Sequence, residues 1–423
     1  MLKLFGGMAG LPLLVGCSVQ VVDESEGASV DPITDVSHSP VKQQSIGNCW
    51  AYASAAWAES LVLRGTKETF NVSESYLSYW HWFEQIANPP PKKDGTAAPL
   101  AAVETAGGFG VAADIMLRYG IVSEGDFIPE EIESNASERQ KTALEAMNRS
   151  LKSGALSTLS AQKDRALVRS ELNKAFRLGP KVVTLLDTSF GKDVSTTLDR
   201  SFGTSQGPIR KASTFAIGAN YNSKGPKKSL TLADAIGTRP TKWQFIDKRD
   251  GEFAWSEFKF QYTQEEQRPL LQRVQKALHQ GLPVMISWYV DFNALNEKGQ
   301  FVLPPKTPGY QGGHLTVLED YEVKNVPGFG ILPVGKLETR PSALAAALDP
   351  AAEISFFRVK NSWGTSRPDR AFAPGMPGYH DVYMTYLAGM VQKCKPKADG
   401  MPNAADCFDD QALGEIILPN GLE

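Results

Sequence analysis

Apolar residues recur at helical spacing in the first third of the chain. In the stretch CWAYASAAWAESL, Trp50, Ala53 and Trp57 lie three or four residues apart, which predicts a helix with one buried face. Asn48 can cap this helix, and Gly65 is its expected stop. Three further segments predict helices: NVSESYLSYWHWFEQIAN (71–88), GVAADIMLRYG (110–120) and SERQKTALEAMNRSLKSGA (137–155).

Strand signals dominate the last third. Val, Ile, Phe and Tyr are concentrated in LPVMISWYV (282–290), HLTVLEDYEV (314–323) and EISFFRVKNSW (353–363), which predict strands. Residues 157–264 mix short apolar runs with Gly, Ser, Pro and Lys clusters, and we assign them no chemistry. Because helices come early and strands late, the expected fold is α+β, with a helical lobe, a sheet lobe and a cleft at their junction.

The composition is that of a soluble globular protein, with 423 residues, 42% of them hydrophobic and 22% charged. A net charge of -3 and the lack of a basic tract give no reason to expect a nucleic acid as partner. The histidines outside the catalytic motifs described below form no ligand-like pattern. The sequence therefore predicts neither a metal site nor a cofactor.

The N-terminus has a secretory pattern. Residues 1–16 combine one lysine with a mostly apolar stretch, and the sequence LVGC that ends at Cys17 resembles a bacterial lipobox. This predicts a signal peptide over 1–16, a lipid on Cys17, a polar tether over 17–38 and attachment to the cell envelope, with Ser18 indicating the outer membrane. The alternative is an ordinary buried N-terminal segment.

The other three cysteines divide by context. Cys394 and Cys407 flank a polar C-terminal segment. In an exported protein we expect them to form a disulfide that stabilises the fold by about 3 kcal/mol; the alternative is two free thiols. This pairing leaves Cys49 without a partner, and an unpaired thiol in an exported protein is a candidate reactive group.

A helix start and a neighbouring imidazole both favour a reactive thiol. Cys49 occupies the predicted helix start. His314 follows a Gln-Gly-Gly turn and opens a strand, so its ring can project into the cleft. Asn361 ends another strand, and its carboxamide can orient the imidazole.

The same residues resemble the papain-like (C1) cysteine peptidases. The matching motifs are QQSIGNCWAYAS, GGHLTVLEDY and VKNSWG, in the order that the family has. The resemblance implies that Cys49 is the nucleophile, His314 the general base and acid, and Asn361 the group that orients the ring. It implies Gln43 as the side-chain donor of the oxyanion hole, and peptide or protein as the substrate. We also expect Cys49 and His314 to form an ion pair at rest.

The resemblance further predicts substrate-binding residues. The segment TAGGFG is similar to the cleft segment whose glycine backbone pairs with an extended substrate, and Trp363 resembles the indole that shields the His–Asn hydrogen bond from water. The residues expected along the cleft are Trp50, Gly107, Gly108, Gly313 and Trp363.

The chain also departs from simple family members. His314 follows Cys49 by 265 residues, against about 130–150 in papain-like enzymes, which implies a large insertion and a resemblance to the bleomycin-hydrolase branch. The expected parts are a helical lobe (39–156), an insertion of unknown role (157–264), a β-rich lobe (265–390) and a C-terminal extension (391–423).

Two other functions fit the same residues. With an amine in place of water, the same triad would catalyse acyl transfer and form cross-links. Without catalysis, the protein would be a surface binding scaffold that retains the fold.

Overall fold

The computed structural model describes most of the chain after the predicted tether. The predicted signal peptide, Cys17 and the tether apart from Val36 lie outside the described residues, so the lipid anchor stays a prediction. The described residues are 36, 39–91, 94–134, 137–198, 207–221, 228–239, 247–260, 263–336, 338–366, 370–397 and 401–422.

Helices occupy the first part of the fold, as predicted. Ser73 caps the second helix, since its side chain accepts the Tyr76 N–H. The helices of this part are α1 (Cys49–Thr66), α2 (Glu74–Ala87), α3 (Phe109–Tyr119), α4 (Glu124–Phe127), α5 (Glu130–Ser134), α6 (Glu138–Ser153), α7 (Leu159–Lys163), α8 (Arg165–Ala175) and α9 (Pro180–Phe190).

The first helix does not stop at Gly65. It continues to Thr66, and Lys67 forms the C-cap in a left-handed conformation, with φ 64°. Gly65 instead permits a close approach of two backbones, because a Cβ atom there would lie 1.9 Å from the carbonyl oxygen of Ile217. The glycine therefore serves packing against a neighbouring strand and not helix termination.

The later part of the chain builds a large sheet with strand order β3-β12-β4-β6-β8-β9-β5, and β7 pairs with β6. The β5–β9 pair is parallel and the others are antiparallel. The strands of the chain are β1 (Ala216–Ala219), β2 (Ser229–Thr231), β3 (Trp255–Lys259), β4 (Val284–Asp291), β5 (Gln300–Phe301), β6 (Gln311–Val326), β7 (Gly330–Leu332), β8 (Glu353–Lys360), β9 (Tyr379–Tyr383), β10 (Met390–Pro396), β11 (Pro402–Gln411) and β12 (Leu413–Pro419).

Four further helices complete the described part of the fold, and α12 lies between β7 and β8. The helices are α10 (Leu232–Ile236), α11 (Gln264–His279), α12 (Pro341–Ala346) and α13 (Met384–Leu387).

The C-terminal segment is not an extension of the fold. Strand β12 lies between β3 and β4, and Ile416 faces Phe258 on one side and Ile286 on the other. The apolar run that ends the chain is buried in the sheet and so belongs to the core. Before it, β10 and β11 form a separate hairpin in which Cys394 and Cys407 are joined by a disulfide.

The segment 157–264 is likewise not one separate insertion. Helices α7 and α8 pack on α2, and α8 also packs on α6, whereas β1 lies against α1. Strand β3 pairs with β12 in the large sheet. The predicted boundary at residue 264 therefore separates β3 from the sheet to which it belongs.

Helix α1 joins the two parts, because it packs against α2 and α3 on one side and against β6 and β4 on the other. The α+β class, with a helical part beside a sheet part, is confirmed. Among the described residues, every helix is too short or too polar to cross a membrane.

Candidate active site

The loop before α1 places Cys49 at the first turn of that helix. Asn48 occupies the N-cap position, but its side chain makes no capping hydrogen bond. Its Nδ2 instead donates to Ser78 Oγ at 2.9 Å and to Gln140 Oε1 at 2.7 Å, which ties the loop to α2 and α6. Ala51 N–H donates to the Asn48 carbonyl at 2.9 Å, whereas the N–H groups of Cys49 and Trp50 come before the first carbonyl acceptors of the helix and can meet a ligand.

Two strands bring His314 and Asn361 together. His314 lies near the start of β6, opposite Trp288 of β4, and Asn361 directly follows β8. The ring Nε2 is 2.7 Å from Asn361 Oδ1, and this oxygen also accepts the backbone N–H of Ser362 at 2.8 Å. Because Oδ1 can only accept, the network assigns the ring proton to Nε2 and leaves Nδ1 unprotonated.

Trp363 covers this hydrogen bond. Its indole stacks on the His314 ring, with centroids 4.9 Å apart and planes 19° apart. Phe292 packs against the same indole at 5.1 Å, and the Arg370 guanidinium lies over it, 4.5 Å from the ring centroid. The indole excludes water from the His–Asn pair.

Cys49 and His314 line one open cleft with a cavity volume of about 410 Å³. Of the residues predicted along the cleft, Gly313 and Trp363 also line this cavity. The lining residues are Gln44, Ser45, Ile46, Gly47, Cys49, Val290, Phe292, Tyr310, Gln311, Gly312, Gly313, His314, Trp363 and Arg370. The cleft therefore lies between the loop that precedes α1, the end of β4 and the start of β6.

Gln43 does not line this cleft, although it was predicted to supply the oxyanion donor. Its side chain lies against Gly364, where a Cβ atom would be 2.7 Å from Gln43 Oε1, and its backbone forms a bridge with Trp363. The next residue, Gln44, is among those that line the cavity.

The carboxamide of Gln44 is fixed by two contacts. Its Oε1 accepts the hydroxyl of Ser362, and its Nε2 donates to the Ile46 carbonyl at 2.9 Å. A carboxamide nitrogen has two protons, so one remains for a ligand in the cleft. The sequence could have signalled this residue, since two adjacent glutamines precede the nucleophile.

Trp50 was expected along the cleft, but it is buried, with 1% exposure, and does not line the 410 Å³ cavity. Its Nε1 donates to the Thr105 carbonyl at 2.8 Å, and its ring lies 2.8 Å from the position of a Cβ atom on Gly107. The indole thus supports the segment that contains Gly107. Gly108 forms the N-cap of α3 in an extended conformation, and a Cβ atom there would lie 4.0 Å from Glu257 Oε1. Both glycines lie outside the 410 Å³ cavity.

Burial shifts the pKa values of the two candidate catalytic groups in opposite directions. Burial raises the pKa of the Cys49 thiol, although backbone N–H groups, first that of Leu315, act in the opposite direction. Burial lowers the pKa of His314 to about 4 against the effect of the Asn361 hydrogen bond, and Arg370 lowers it further. Desolvation acts against the charged form of each group, so both pKa shifts favour the neutral forms and run opposite to the predicted ion pair. The resting ion pair stays a prediction.

His380 is a residue of the site that the sequence did not identify. It is fully buried on β9, and its Nδ1 lies 3.3 Å from Asn361 Nδ2, so that it accepts a hydrogen bond from the carboxamide that also contacts His314. Burial lowers the pKa of His380 to about 3, which keeps it neutral and able to accept. Only the pairing of β9 with β8, opposite Val359, reveals this position.

Within the described part of the chain, no group of three or more His, Cys, Asp or Glu side chains is arranged to hold a metal ion.

Comparison of the sequence with models of protein families found no match, and comparison with curated proteins found none. Among solved structures, the chain is similar to pepw from Lactobacillus rhamnosis HN001, with 14% identity, 95% of this chain and 83% of that chain covered, and a TM-score of 0.41.

It is also similar to xylellain, a cysteine protease from Xylella fastidiosa, with 12% identity, 89% and 81% covered, and a TM-score of 0.30. A third similar structure is the bromelain protease from Ananas comosus in complex with the E64 inhibitor, with 10% identity, 90% of this chain and 92% of that chain covered, and a TM-score of 0.31. Similarity at these identities and TM-scores assigns no residue of this chain a role.

Proposed function

We propose that the protein is a papain-like cysteine peptidase, which hydrolyses peptide bonds through a thioester on Cys49. The observation that carries this proposal is the 2.7 Å contact between His314 and Asn361 at the cleft that Cys49 also lines. A base whose Nδ1 is unprotonated and a thiol at a helix start, lining the same cleft, are the groups that nucleophilic catalysis requires.

The chemical steps follow from the neutral state of both groups. The Cys49 sulfur attacks the substrate carbonyl carbon while its proton passes to His314 Nδ1. The C–N bond then breaks, and the leaving amine takes that proton. Water attacks the thioester, gives a proton to Nδ1, and the C–S bond breaks as the thiol regains the proton. Asn361 keeps Nε2 protonated throughout, so Nδ1 is always the atom that exchanges protons.

The negative oxygen of each tetrahedral intermediate needs fixed donors. In this proposal Gln44 Nε2 supplies one, since it lines the cleft and its other contacts fix it. The backbone N–H of Cys49 at the start of α1 supplies the second. Gln43 has no part in this step.

The test combines three variants of the full-length protein with a peptide library whose products are identified by mass spectrometry. Cys49→Ala should abolish cleavage, because no nucleophile remains. Gln44→Ala should lower kcat by about 10²–10³-fold, as expected for loss of one oxyanion donor. Gln43→Ala is the matched control and should leave kcat within a few-fold of the wild type.

Cleavage that persists in purified Cys49→Ala would show that the proposed nucleophile is wrong. A larger loss in Gln43→Ala than in Gln44→Ala would return the oxyanion role to Gln43. Circular dichroism and thermal unfolding of each variant separate loss of catalysis from loss of the fold.

A further inference from the structure

The carboxamide of Asn361 is held at three points. Its Oδ1 lies 2.7 Å from His314 Nε2 and accepts the Ser362 N–H at 2.8 Å. On the other side, its Nδ2 lies 3.3 Å from His380 Nδ1. Because a backbone N–H can only donate, Ser362 requires the amide oxygen on its own side, which directs Nδ2 toward His380. The three contacts therefore agree on one orientation of the carboxamide.

This orientation also assigns the protons of His380. The Nδ2 group of a carboxamide can only donate, so the network leaves His380 Nδ1 unprotonated and places the ring proton on Nε2. Burial, followed by the nearby His314 and Arg370, lowers the pKa of His380 to about 3, which favours the neutral ring that can accept. Asn361 thus accepts from one histidine and donates to the other.

The backbone around His380 is fixed to the strand that precedes Asn361. Strand β9, which carries His380, pairs with β8 along its whole length, and the Asn361 N–H donates to the Gly378 carbonyl at 3.0 Å. Next to His380, Asp381 forms a buried ion pair with Arg358 of β8 at 2.8 Å. The distance between the His380 and Asn361 backbones is therefore set by the sheet.

Aromatic rings hold the imidazole of His380 in its plane. The ring centroid lies 5.0 Å from that of Trp363 and 5.4 Å from that of Phe372, both in edge-to-face contact. His380 is 0% exposed and Asn361 is 2% exposed, so bulk solvent does not reach the hydrogen bond between them. Loss of this acceptor would leave buried amide protons without their partner, which is costly.

We propose that His380 is a positioning residue, which holds the Asn361 carboxamide with Oδ1 toward His314 and so keeps the His314 proton on Nε2. This inference rests on the proposed peptidase function and adds a residue to its site. With the carboxamide reversed, Nδ2 would face His314 Nε2, and Nε2 would have to accept. The ring proton would then lie on Nδ1, the atom that has to receive the proton of Cys49.

The first measurement is the tautomer of His314. His380→Phe keeps a ring and removes the acceptor, whereas His380→Asn places an amide oxygen near the former position of Nδ1. Nitrogen NMR of protein labelled in its histidine rings distinguishes protonated from unprotonated nitrogens, and His314→Gln identifies the His314 signals by their loss. His380→Phe should shift these signals toward a mixture of tautomers, and His380→Asn should keep the wild-type pattern.

The second measurement is the rate of peptide cleavage. His380→Phe should lower kcat about 3-fold to tenfold, as expected for one lost hydrogen bond. KM should stay nearly unchanged, because His380 does not line the cleft. His380→Asn should retain most of the wild-type kcat. In an Asn361→Ala background, His380→Phe should cause no further loss, because the two residues act through one hydrogen bond.

His279→Phe is the matched control. His279 also forms a hydrogen bond through its ring, with Nε2 2.6 Å from the Tyr321 hydroxyl, but it lies on α11 and does not line the cleft. Its replacement should leave both kcat and the His314 signals unchanged. Thermal unfolding of each variant measures any loss of the fold separately.

The outcomes separate this inference from the proposed function. Unchanged His314 signals or an unchanged kcat in His380→Phe of an active enzyme would overturn the positioning role and leave the peptidase intact. A loss that adds in full to that of Asn361→Ala would overturn it as well, because His380 would then act through packing and not through Asn361. A wild type that cleaves no peptide would overturn both.

Discussion

Two groups of polar side chains lie where α1 meets the sheet, and desolvation affects their pKa values in opposite ways. The ionic cluster consists of Lys42, Glu59, Glu74 and Glu124, whose side chains are all at most 6% exposed. The candidate catalytic group consists of Cys49, His314 and Asn361. A small cavity is lined by Lys42, Glu59 and Glu74 and also by Asn361.

In the ionic cluster, the lysine keeps its charge despite burial. Lys42 Nζ lies 2.8 Å from Glu74, 3.2 Å from Glu124 and 3.5 Å from Glu59, and it also donates to the Val72 carbonyl at 3.0 Å. Burial alone would lower the pKa of Lys42, but the three carboxylates outweigh it and raise the pKa.

In the candidate catalytic group, the pKa shifts favour the neutral forms. Burial raises the pKa of Cys49 and lowers that of His314 to about 4, because hydrogen bonds to neutral groups do not offset desolvation. The comparison teaches that buried position does not decide ionisation here. The number and distance of opposite charges decide it.

Removal of the central cation should give the largest effect. Lys42→Met leaves three carboxylates in a buried site without their partner, and we expect it to lower the free energy of unfolding by about 3–5 kcal/mol. Denaturant unfolding followed by tryptophan fluorescence measures this.

Lys174→Met is the matched control. Its ammonium is also 2.8 Å from a carboxylate, that of Glu171, but the lysine side chain is 70% exposed. We expect a change below about 1 kcal/mol. Similar losses in the two variants would mean that burial adds nothing to the dependence of the cluster on its cation.

Loss of a neutral hydrogen bond in the catalytic group should have an intermediate effect. Asn361→Ala removes the acceptor of the His314 Nε2–H and frees the ring to turn or to change tautomer. We expect kcat to fall about 10-fold to 100-fold, which corresponds to the cost of about 1–3 kcal/mol for a lost buried partner, with KM nearly unchanged.

Asn403→Ala serves as the control for this variant. Asn403 donates to Asp406 at 3.0 Å in an exposed position of the hairpin, and its loss should not change kcat. If Asn361→Ala changed KM but left kcat intact, the orienting role would be contradicted.

Local patterns predicted local structure well. Ser73 is the N-cap of α2 and Gly108 is the N-cap of α3. Such caps and the apolar spacing that follows them can be recognised within a few residues of sequence. The central strands β4, β6 and β8 were also predictable, since their β-branched and aromatic residues form continuous runs.

Non-local structure was not predictable in the same way. Nothing near residues 413–419 signals that they pair with both 255–259 and 284–291. The sequence therefore predicts a C-terminal extension where the structure has an interior strand of the sheet. The choice between Gln43 and Gln44 depends on which side of an extended segment faces the cleft. The charge state of Cys49 depends on burial and on distances that only the folded chain sets.

The smallest expected effect is an absence of signal at pH 7. Burial raises the pKa of Cys49, which favours the protonated thiol, and lowers the pKa of His314 to about 4, which favours the neutral imidazole. The ultraviolet difference near 240 nm between wild type and Cys49→Ser, where a thiolate absorbs, should therefore be close to zero from pH 5 to 8 and rise only in more alkaline solution. Cys17 is common to both proteins and cancels. One thiolate equivalent at pH 5–8 would instead mean that the catalytic group holds a charge pair, as the ionic cluster does, and the contrast between the two regions would disappear.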